Sequence, residues 1–541
     1  MRRFLRCANY TRNRSISTTS VHSASASPTS PASLTLPVRI DEMHGWLRER
    51  YPSFRARSQQ IELLSNPADF HRRFIKGIEE AQRSIYISTL YIGEEQHEMI
   101  QLLGRRLREN GQLTLTILAD YNRCTRNTLP QSPASLVATL VQEFGSRVRV
   151  YLYRPNTKLG IWEKLIPPRF NEGFGTQHTK IYCFDDSVLL SGANLNTSYF
   201  RDRQDRYMQI HEHPRLTEYL RAFVEQLTRF SHELSCGSSS SSRSSRSSRS
   251  AEKSESEGEG DSDANGASSS TTLERSRSRA DTSKPPSYTL HWNNEAPASA
   301  FSSSAFTEMT NFSQSYRCTD TDADGDDGDT VIYPLIQSGL WGVREEEEAI
   351  KYLLEAVNGI PGSRVDVTSG YFSLGEEYKK RIVDSRVPTS IIAASPHANG
   401  FLGSRGVSGR IPEAYTHLES KFYAACVRHA RNTTLALKEW RRDGWTYHCK
   451  GVWVRNDKDT EDSMATFIGS SNLSGRSTDL DLELSFLVFT HGETLKERLG
   501  EEVEDLDGNS MVVDESTFAL PERKVSLFTR LLLWMGVDKM L

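Results

Sequence analysis

The sequence predicts an α/β fold built twice, and three observations carry that prediction. Amphipathic helical patterns alternate with short apolar runs in both halves. One set of chemistry-bearing residues occurs twice in the same order. A Ser-rich stretch separates the two occurrences. The 541 residues suit two domains with additional segments. Their 37% hydrophobic content is below that of a packed domain, as expected when an unfolded segment dilutes an ordinary chain.

The first segment, residues 1–40, has five Arg within fourteen residues and no acidic residue before Asp41. That composition predicts a disordered mitochondrial transit peptide; a secretory signal would need an apolar core that is missing. Residues 41–235 then read as the first domain. Phe70, Phe74, Ile75, Ile78 and Ala81 fall at helical spacing. Strands are expected at Ile85–Tyr91, Leu113–Leu118 and Arg147–Tyr153, with a helix from His97 between the first two. Residues 236–329 are Ser-rich and end acidic, so a disordered insert is expected, unable to bury enough apolar area to offset its ordering entropy. Residues 330–541 repeat the first pattern: a helix, a strand at Val365–Tyr371, the strand "SIIAA", a long helix, then "TLALKEW" and "WTYHCKGVWV". "LYIGEE" after a first-half strand matches "YFSLGEE" after a second-half strand, which points to a duplicated domain.

The net charge of −4 gives no case for nucleic-acid binding. Seven cysteines without close pairs indicate neither a disulfide framework nor a structural metal. No apolar run reaches the roughly 18 residues that would span a bilayer. The closing "KVSLFTRLLLWMGVDKML" is consistent with an interfacial helix or with a core helix of the second domain.

The repeated set is His178-x-Lys180 with "SGAN" ending at Asn194, and His448-x-Lys450 with "GSSN" ending at Asn472. Eleven residues beyond each Asn stands an acid, Asp205 and Glu483. On a strand, His-x-Lys puts both side chains on one face. The apolar run that returns from the following turn brings the Asn beside them. The second copy has eight more residues between Lys and Asn, expected as a longer hairpin loop. These groups suit a phosphodiester. A neutral His attacks phosphorus, Lys and Asn stabilise the oxygens without a metal, and the second His exchanges protons with the leaving and entering groups. An acid behind each His fixes its tautomer. One such tripeptide would mean little; two at matched distances are hard to explain structurally.

These residues resemble the phospholipase D superfamily, whose signature is HxKxxxxD followed by GSxN. The first copy supplies His178, Lys180 and Asp185, with Ser and Gly exchanged in Ser191-Gly192; the second supplies His448 and Lys450 but has Arg455 in place of the Asp. Stretches such as "TLYIG", "LADYNRCTR", "YPLIQSG" and "SPHANGFLGSRGVSGRIPEAY" are similar to the eukaryotic mitochondrial phosphatidylglycerophosphate synthases. The resemblance implies two phospholipase D-like α/β/α sandwiches sharing one active site at their interface. It implies His178, Lys180, Asp185, His448 and Lys450 as catalytic residues, supported by Asn194, Asp205, Asn472 and Glu483, with His178 as nucleophile. It further implies phosphatidyl transfer from CDP-diacylglycerol to sn-glycerol 3-phosphate, peripherally at the matrix side of the mitochondrial inner membrane. No DGxxAR motif of the metal-dependent CDP-alcohol transferases is present, so no metal or cofactor is expected. Arg123, Arg126 and Arg405, in a loop after a strand and in a Gly-rich loop, are candidates for binding substrate phosphate. The motif residues leave open another phosphatidyltransferase or hydrolase of the superfamily, or a descendant that only binds anionic lipid.

Overall fold

The computed structural model describes residues 37–126, 132–155, 172–236, 287–294, 301–317 and 328–537. The expected transit peptide, up to residue 36, and the Ser-rich stretch 237–286 lie outside the described residues.

In chain order the first strands are β1 (Phe54–Ala56), β2 (Ile61–Leu64), β3 (Ser84–Ser88), β4 (Thr114–Asp120), β5 (Val148–Tyr153) and β6 (Ile181–Phe184). They are followed by β7 (Ser187–Ser191), β8 (Arg203–Gln204), β9 (Tyr207–Ile210), β10 (Ser231–Cys236) and β11 (Tyr288–Trp292). The second half contributes β12 (Thr330–Ser338), β13 (Val343–Arg344), β14 (Ser363–Ser369), β15 (Thr389–Ala394) and β16 (Leu435–Trp440). It closes with β17 (Thr446–Tyr447), β18 (Lys450–Asn456), β19 (Met464–Gly469), β20 (Leu482–Thr490) and β21 (Ser510–Val512).

The two large sheets share one plan. One runs β2-β9-β7-β6-β3-β4-β5-β10 and the other β12-β20-β19-β18-β14-β15-β16-β21. In each, only the two joints after the central strand are parallel, β3–β4–β5 and β14–β15–β16. The remaining joints are antiparallel, which is a duplicated mixed sheet. Helices fill the parallel crossovers, because a parallel joint needs a long connection. The helix Pro67–Glu80 shows the local logic: Asn66 caps its N-terminus by accepting from the Asp69 N–H, Pro67 occupies the first turn, and Phe70, Phe74 and Ile78 form the buried stripe.

Each half has an apolar layer of its own. A third cluster belongs to both, joining Tyr151, Tyr153 and Phe223 to Trp440, Trp453 and Ile468. The halves therefore meet across a continuous core, and the inner faces of β6, β7, β18 and β19 are turned toward each other.

Two expectations about domain limits need correction. The first domain does not begin at residue 41. Ile40, Met43, Leu47 and Tyr51 bury themselves among Tyr333, Leu353 and Phe489 of the second half. β1 then pairs with β12, and the Ile40 N–H is accepted by Asp462 at 3.0 Å. The chain enters the first sheet only at β2. The expected insert, 236–329, is also partly built into the fold. β11 pairs along β10. The helix Phe301–Ser315 buries Phe301, Ala305, Met309 and Phe312, a helical stripe spaced through a polar, Ser-containing sequence. Phe301 packs its ring against Phe230 and Trp341.

Candidate active site

The two copies of the motif meet at the interface and exchange carboxylates. His178 Nδ1 lies 2.9 Å from Glu483 of the second half. His448 Nδ1 lies 2.6 Å from Asp205 of the first half. The backbone makes this exchange reciprocal. The His178 N–H donates to the Leu482 carbonyl at 2.8 Å, and the His448 N–H donates to the Gln204 carbonyl at 2.8 Å. In each case the acceptor precedes the carboxylate that holds the ring. β8 and β17 pair in parallel across the same boundary. The sequence singled out both acids; it gave no indication that each serves the histidine of the other half.

Lys180 and Lys450 stand two residues beyond their histidines, on the same face, and are fully buried. Each ammonium donates to the carbonyl of its own histidine, Lys180 at 2.6 Å and Lys450 at 2.5 Å. Gly192 explains the exchanged Ser and Gly of the first copy. A Cβ there would sit 2.7 Å from the Lys450 ammonium and 2.8 Å from an Asp205 oxygen. At the matching place of the second copy, Ser470 turns its hydroxyl onto Glu483. Asn194 donates to the Tyr199 hydroxyl at 3.1 Å, and the Oδ1 atoms of Asn194 and Asn472 are buried without a partner. Such orphaned acceptors suit a site that a ligand or water completes.

Asp185 is not at this site. It occupies the two-residue turn between β6 and β7 in the left-handed region, φ 48°, which Asp tolerates. Its carboxylate accepts the N–H groups of Gln82, Arg83 and Ser84 at 2.8–2.9 Å. Five strand residues put it roughly 16 Å from Lys180. Its work is to pin the start of β3, and that also accounts for Arg455. The second hairpin is longer, with its turn at residues 457–463, so no acid is required at that register.

Arg123 lies in the short helix Tyr121–Cys124, its guanidinium 4.4 Å above the Tyr91 ring. Arg126 follows, half-buried. Arg405 is exposed at the start of a 3-10 turn. The Gly-rich loop instead meets the site through Gly400 and through Phe401, whose ring is 5.7 Å from that of Tyr371.

Further residues at the site went unnoticed in the sequence. The Tyr199 hydroxyl approaches His448 Nε2 at 3.3 Å. Tyr371 presents its ring to the same imidazole at 5.4 Å. Arg206, next to Asp205, crosses into the second half. It is ion-paired to Glu502 at 2.7 Å, donates to the Phe467 carbonyl at 2.8 Å and stacks over Trp453 at 3.9 Å. Gly451, beside Lys450, leaves the room; a Cβ there would be 2.1 Å from the guanidinium. The glycine in "HCKG" was the available signal for that contact.

A family model described as "Cardiolipin synthase, PLD-like domain" matches residues 74–228. Over 500 residues the chain is 32% identical to the mitochondrial CDP-diacylglycerol–glycerol-3-phosphate 3-phosphatidyltransferase of Gallus gallus, covering 90% of this chain and 84% of that one. The protein of the same name from Homo sapiens is 30% identical over 512 residues, covering 93% and 87%. The chain belongs to the CDP-diacylglycerol–glycerol-3-phosphate 3-phosphatidyltransferase family. Phosphatidylserine synthase of Haemophilus influenzae Rd KW20 has the same fold, with a TM-score of 0.63 over 92% of this chain at 20% identity.

In this family member the electrostatics of the site follow from burial. Burial lowers both histidines well below the usual imidazole range, and Lys180 and Lys450 respectively push them further. Burial raises the Glu483 carboxyl to about 7 and raises Asp205 as well. Neutral rings donating Nδ1–H to the carboxylates satisfy these two hydrogen bonds and leave Nε2 with its lone pair. The Lys450 ammonium, 2.8 Å from His448 Nδ1, is then directed to the His448 carbonyl and Asp205. Burial, and then Lys450 opposed by Glu483, brings the Lys180 ammonium down to about 7. His178, Asp481 and Glu483 cluster closely enough to share a cation. Their oxygens are already engaged, however: Glu483 with His178 and Ser470, Asp481 with Thr176 and Arg476.

Because the Lys180 pKa is lowered, its charge is lost as pH rises through about 7 in the unliganded enzyme. The value of kcat/KM, which reports the free enzyme, is expected to fall above about that pH. The matching limb of kcat should lie higher, since bound phosphate favours the ammonium. A kcat/KM profile flat to pH 9 would contradict this.

Proposed function

We propose that this chain transfers the phosphatidyl group of CDP-diacylglycerol to sn-glycerol 3-phosphate, releasing CMP. One observation carries the reading: both copies of the histidine, lysine, asparagine and crossed carboxylate set are intact and meet at one interface, in a chain about 30% identical along most of its length to relatives that bear this enzyme name.

The reaction proceeds in two displacements. His178 Nε2 attacks the phosphatidyl phosphorus. The phosphorus–oxygen bond to CMP breaks, and His448 Nε2–H gives that oxygen a proton. Glycerol 3-phosphate takes the place of CMP, and His448 removes the proton of its hydroxyl. The hydroxyl oxygen attacks phosphorus, and the phosphorus–nitrogen bond returns its electrons to His178. Glu483 and Asp205 hold the two rings, while Lys180, Lys450, Asn194 and Asn472 balance charge on the phosphoryl oxygens. A neutral imidazole suits the nucleophile. The general acid needs a proton, and the incoming pyrophosphate favours it by opposing the field of Lys450 and Arg203, which adds to burial in lowering His448.

Purified protein given CDP-diacylglycerol and labelled glycerol 3-phosphate, with phosphatidylglycerol as a competing acceptor, is expected to form labelled phosphatidylglycerophosphate and CMP. Transfer to phosphatidylglycerol, or only to water, would contradict the acceptor. Acid-labile phosphatidyl label should be trapped on His448→Ala and absent from His178→Ala. The reverse pattern would exchange the two roles.

The same reading places the enzyme on a lipid surface. No helix among the described residues is long and apolar enough to cross a membrane. The helix Leu527–Trp534 buries Thr529 and Leu533 and exposes Leu527, Phe528, Leu531 and Trp534, flanked by exposed Lys524 and Arg530. Its N-terminus is tied to Glu413, which accepts from the Ser526 N–H and, at 2.8 Å, from the Thr529 hydroxyl. Glu413 lies in the first turn of the helix Ile411–Arg428, whose Tyr415 stacks on Tyr371, beside His448. The helix Leu527–Trp534 is thus linked to the site through Glu413 and Tyr415, and its exposed apolar face suits an anionic bilayer that would deliver the lipid. Leu527→Ser with Leu531→Ser should weaken binding to anionic liposomes several-fold without lowering the melting temperature. Unchanged binding would sink the assignment. The basic, acid-free residues 1–40 support import and a place on the matrix side of the mitochondrial inner membrane. Fused to a fluorescent protein, they should direct it into mitochondria; a diffuse cytosolic signal would argue against that.

A further inference from the structure

The duplicated frame allows the two sides of the site to be compared position by position. Asp205 and Glu483 correspond, so Arg203 corresponds to Asp481, Tyr199 to Ser477, and Thr446 to Thr176. The Arg203 Nε–H donates to the Thr446 hydroxyl at 3.0 Å. At the mirrored place Asp481 accepts from the Thr176 hydroxyl at 3.0 Å. One position of the repeat has therefore become a cation on the His448 side and an anion on the His178 side. The anion is neutralised, since Arg476 binds Asp481 at 2.9 Å. The cation is not: among the described residues no carboxylate oxygen lies within 4.0 Å of the Arg203 guanidinium.

Arg203 is surrounded by aromatic hydroxyls instead. It lies 4.6 Å from the centroid of Tyr199, whose hydroxyl touches His448 Nε2. A Cβ built on Gly400 would be 3.0 Å from Arg203 Nη2 and 3.2 Å from the Tyr371 hydroxyl, so both groups close on that glycine. Tyr91, with Arg123 above its ring, is near enough to act on the Arg203 charge. A largely enclosed guanidinium without a counter-ion, fenced by phenols rather than carboxylates, is built to receive an anion.

We propose that Arg203, with Tyr371 and the Gly400 backbone, forms a subsite for the phosphate carried by the group that exchanges on the His448 side. This rests on the reaction proposed above, in which CMP leaves and glycerol 3-phosphate enters on that side. Both carry a phosphate, CMP at the reacting oxygen itself and glycerol 3-phosphate at the far end of the glycerol from its reacting hydroxyl, and the mirrored Asp481 side offers no equivalent cation. The charge difference between the two half-sites thereby gives the displacement a direction.

The test compares glycerol 3-phosphate with glycerol as acceptor in wild type, Arg203→Met, Arg203→Lys and Gly400→Ala, with melting temperatures recorded. Wild-type formation of phosphatidylglycerophosphate verifies the underlying reaction; its absence would refute that reading before the subsite is tested. If Arg203 holds the acceptor phosphate, Arg203→Met should reduce the selectivity for glycerol 3-phosphate over glycerol by about 10- to 100-fold. Arg203→Lys should restore part of it, and Gly400→Ala should raise KM for glycerol 3-phosphate. If it holds the nucleotide phosphate, KM for CDP-diacylglycerol and the inhibition constant of CMP should rise in Arg203→Met while acceptor selectivity stays. Equal loss with both acceptors and no change in CMP inhibition would overturn the subsite. So would a lowered melting temperature as the only effect.

Discussion

Each imidazole is held by a carboxylate from the opposite half, and the rest of the site depends on that exchange. Separated, either half would keep a histidine without its orienting acid and an acid buried without its base. Buried charges of that kind are tolerated only when paired and hydrogen-bonded. The shared core that includes Trp440 and Trp453 keeps the halves together. The crossing of Arg206 to Glu502, and the pairing of β8 with β17, fix their relative position. The segment Ile40–Ala56 adds a strap, leaving the second half through β1 before entering the first sheet at β2.

The duplication supplies geometry, and departures from it supply chemistry. Gly192 opposite Ser470 makes space for the Lys450 ammonium on one side and provides a hydroxyl for Glu483 on the other. Leu484 stands where the first half has Arg206, so the pin between the halves is one-sided. Two identical half-sites would bind a phosphodiester symmetrically. The double displacement proposed above needs one face to hold the phosphoryl group and the other to exchange alcohols. The aromatic and cationic lining around His448 distinguishes those faces.

Much of this was legible in the sequence, for a local reason. His-x-Lys on a strand, a returning apolar run ending in Asn, and an acid eleven residues on are short-range patterns, and β periodicity fixes their directions. The alternation of helices and strands gave the α/β plan. What the sequence did not show depends on contacts between distant segments. The pairing of His178 with Glu483 rather than Asp205 is such a case, as is the packing of Met43 and Leu47 on the second half. The helix at 301–315 was hidden because its four buried apolar residues are diluted by Ser and Thr. Asp185 was assigned to the chemistry because it belongs to the motif, yet its carboxylate caps backbone N–H groups. Tyr199, Arg203 and Arg206 carried no pattern of their own; they become visible once Asp205 is fixed and its neighbours are compared with those of Glu483.

The crossed carboxylates can be observed directly through the Nδ1–H protons of the two rings in protein labelled with ¹⁵N-histidine. Strongly hydrogen-bonded imidazole protons resonate far downfield. Glu483→Gln is expected to remove or shift the His178 resonance and spare that of His448, while Asp205→Asn should do the opposite. Loss of the His178 signal on Asp205→Asn, with Glu483→Gln silent, would place each acid with the histidine of its own half and contradict the account.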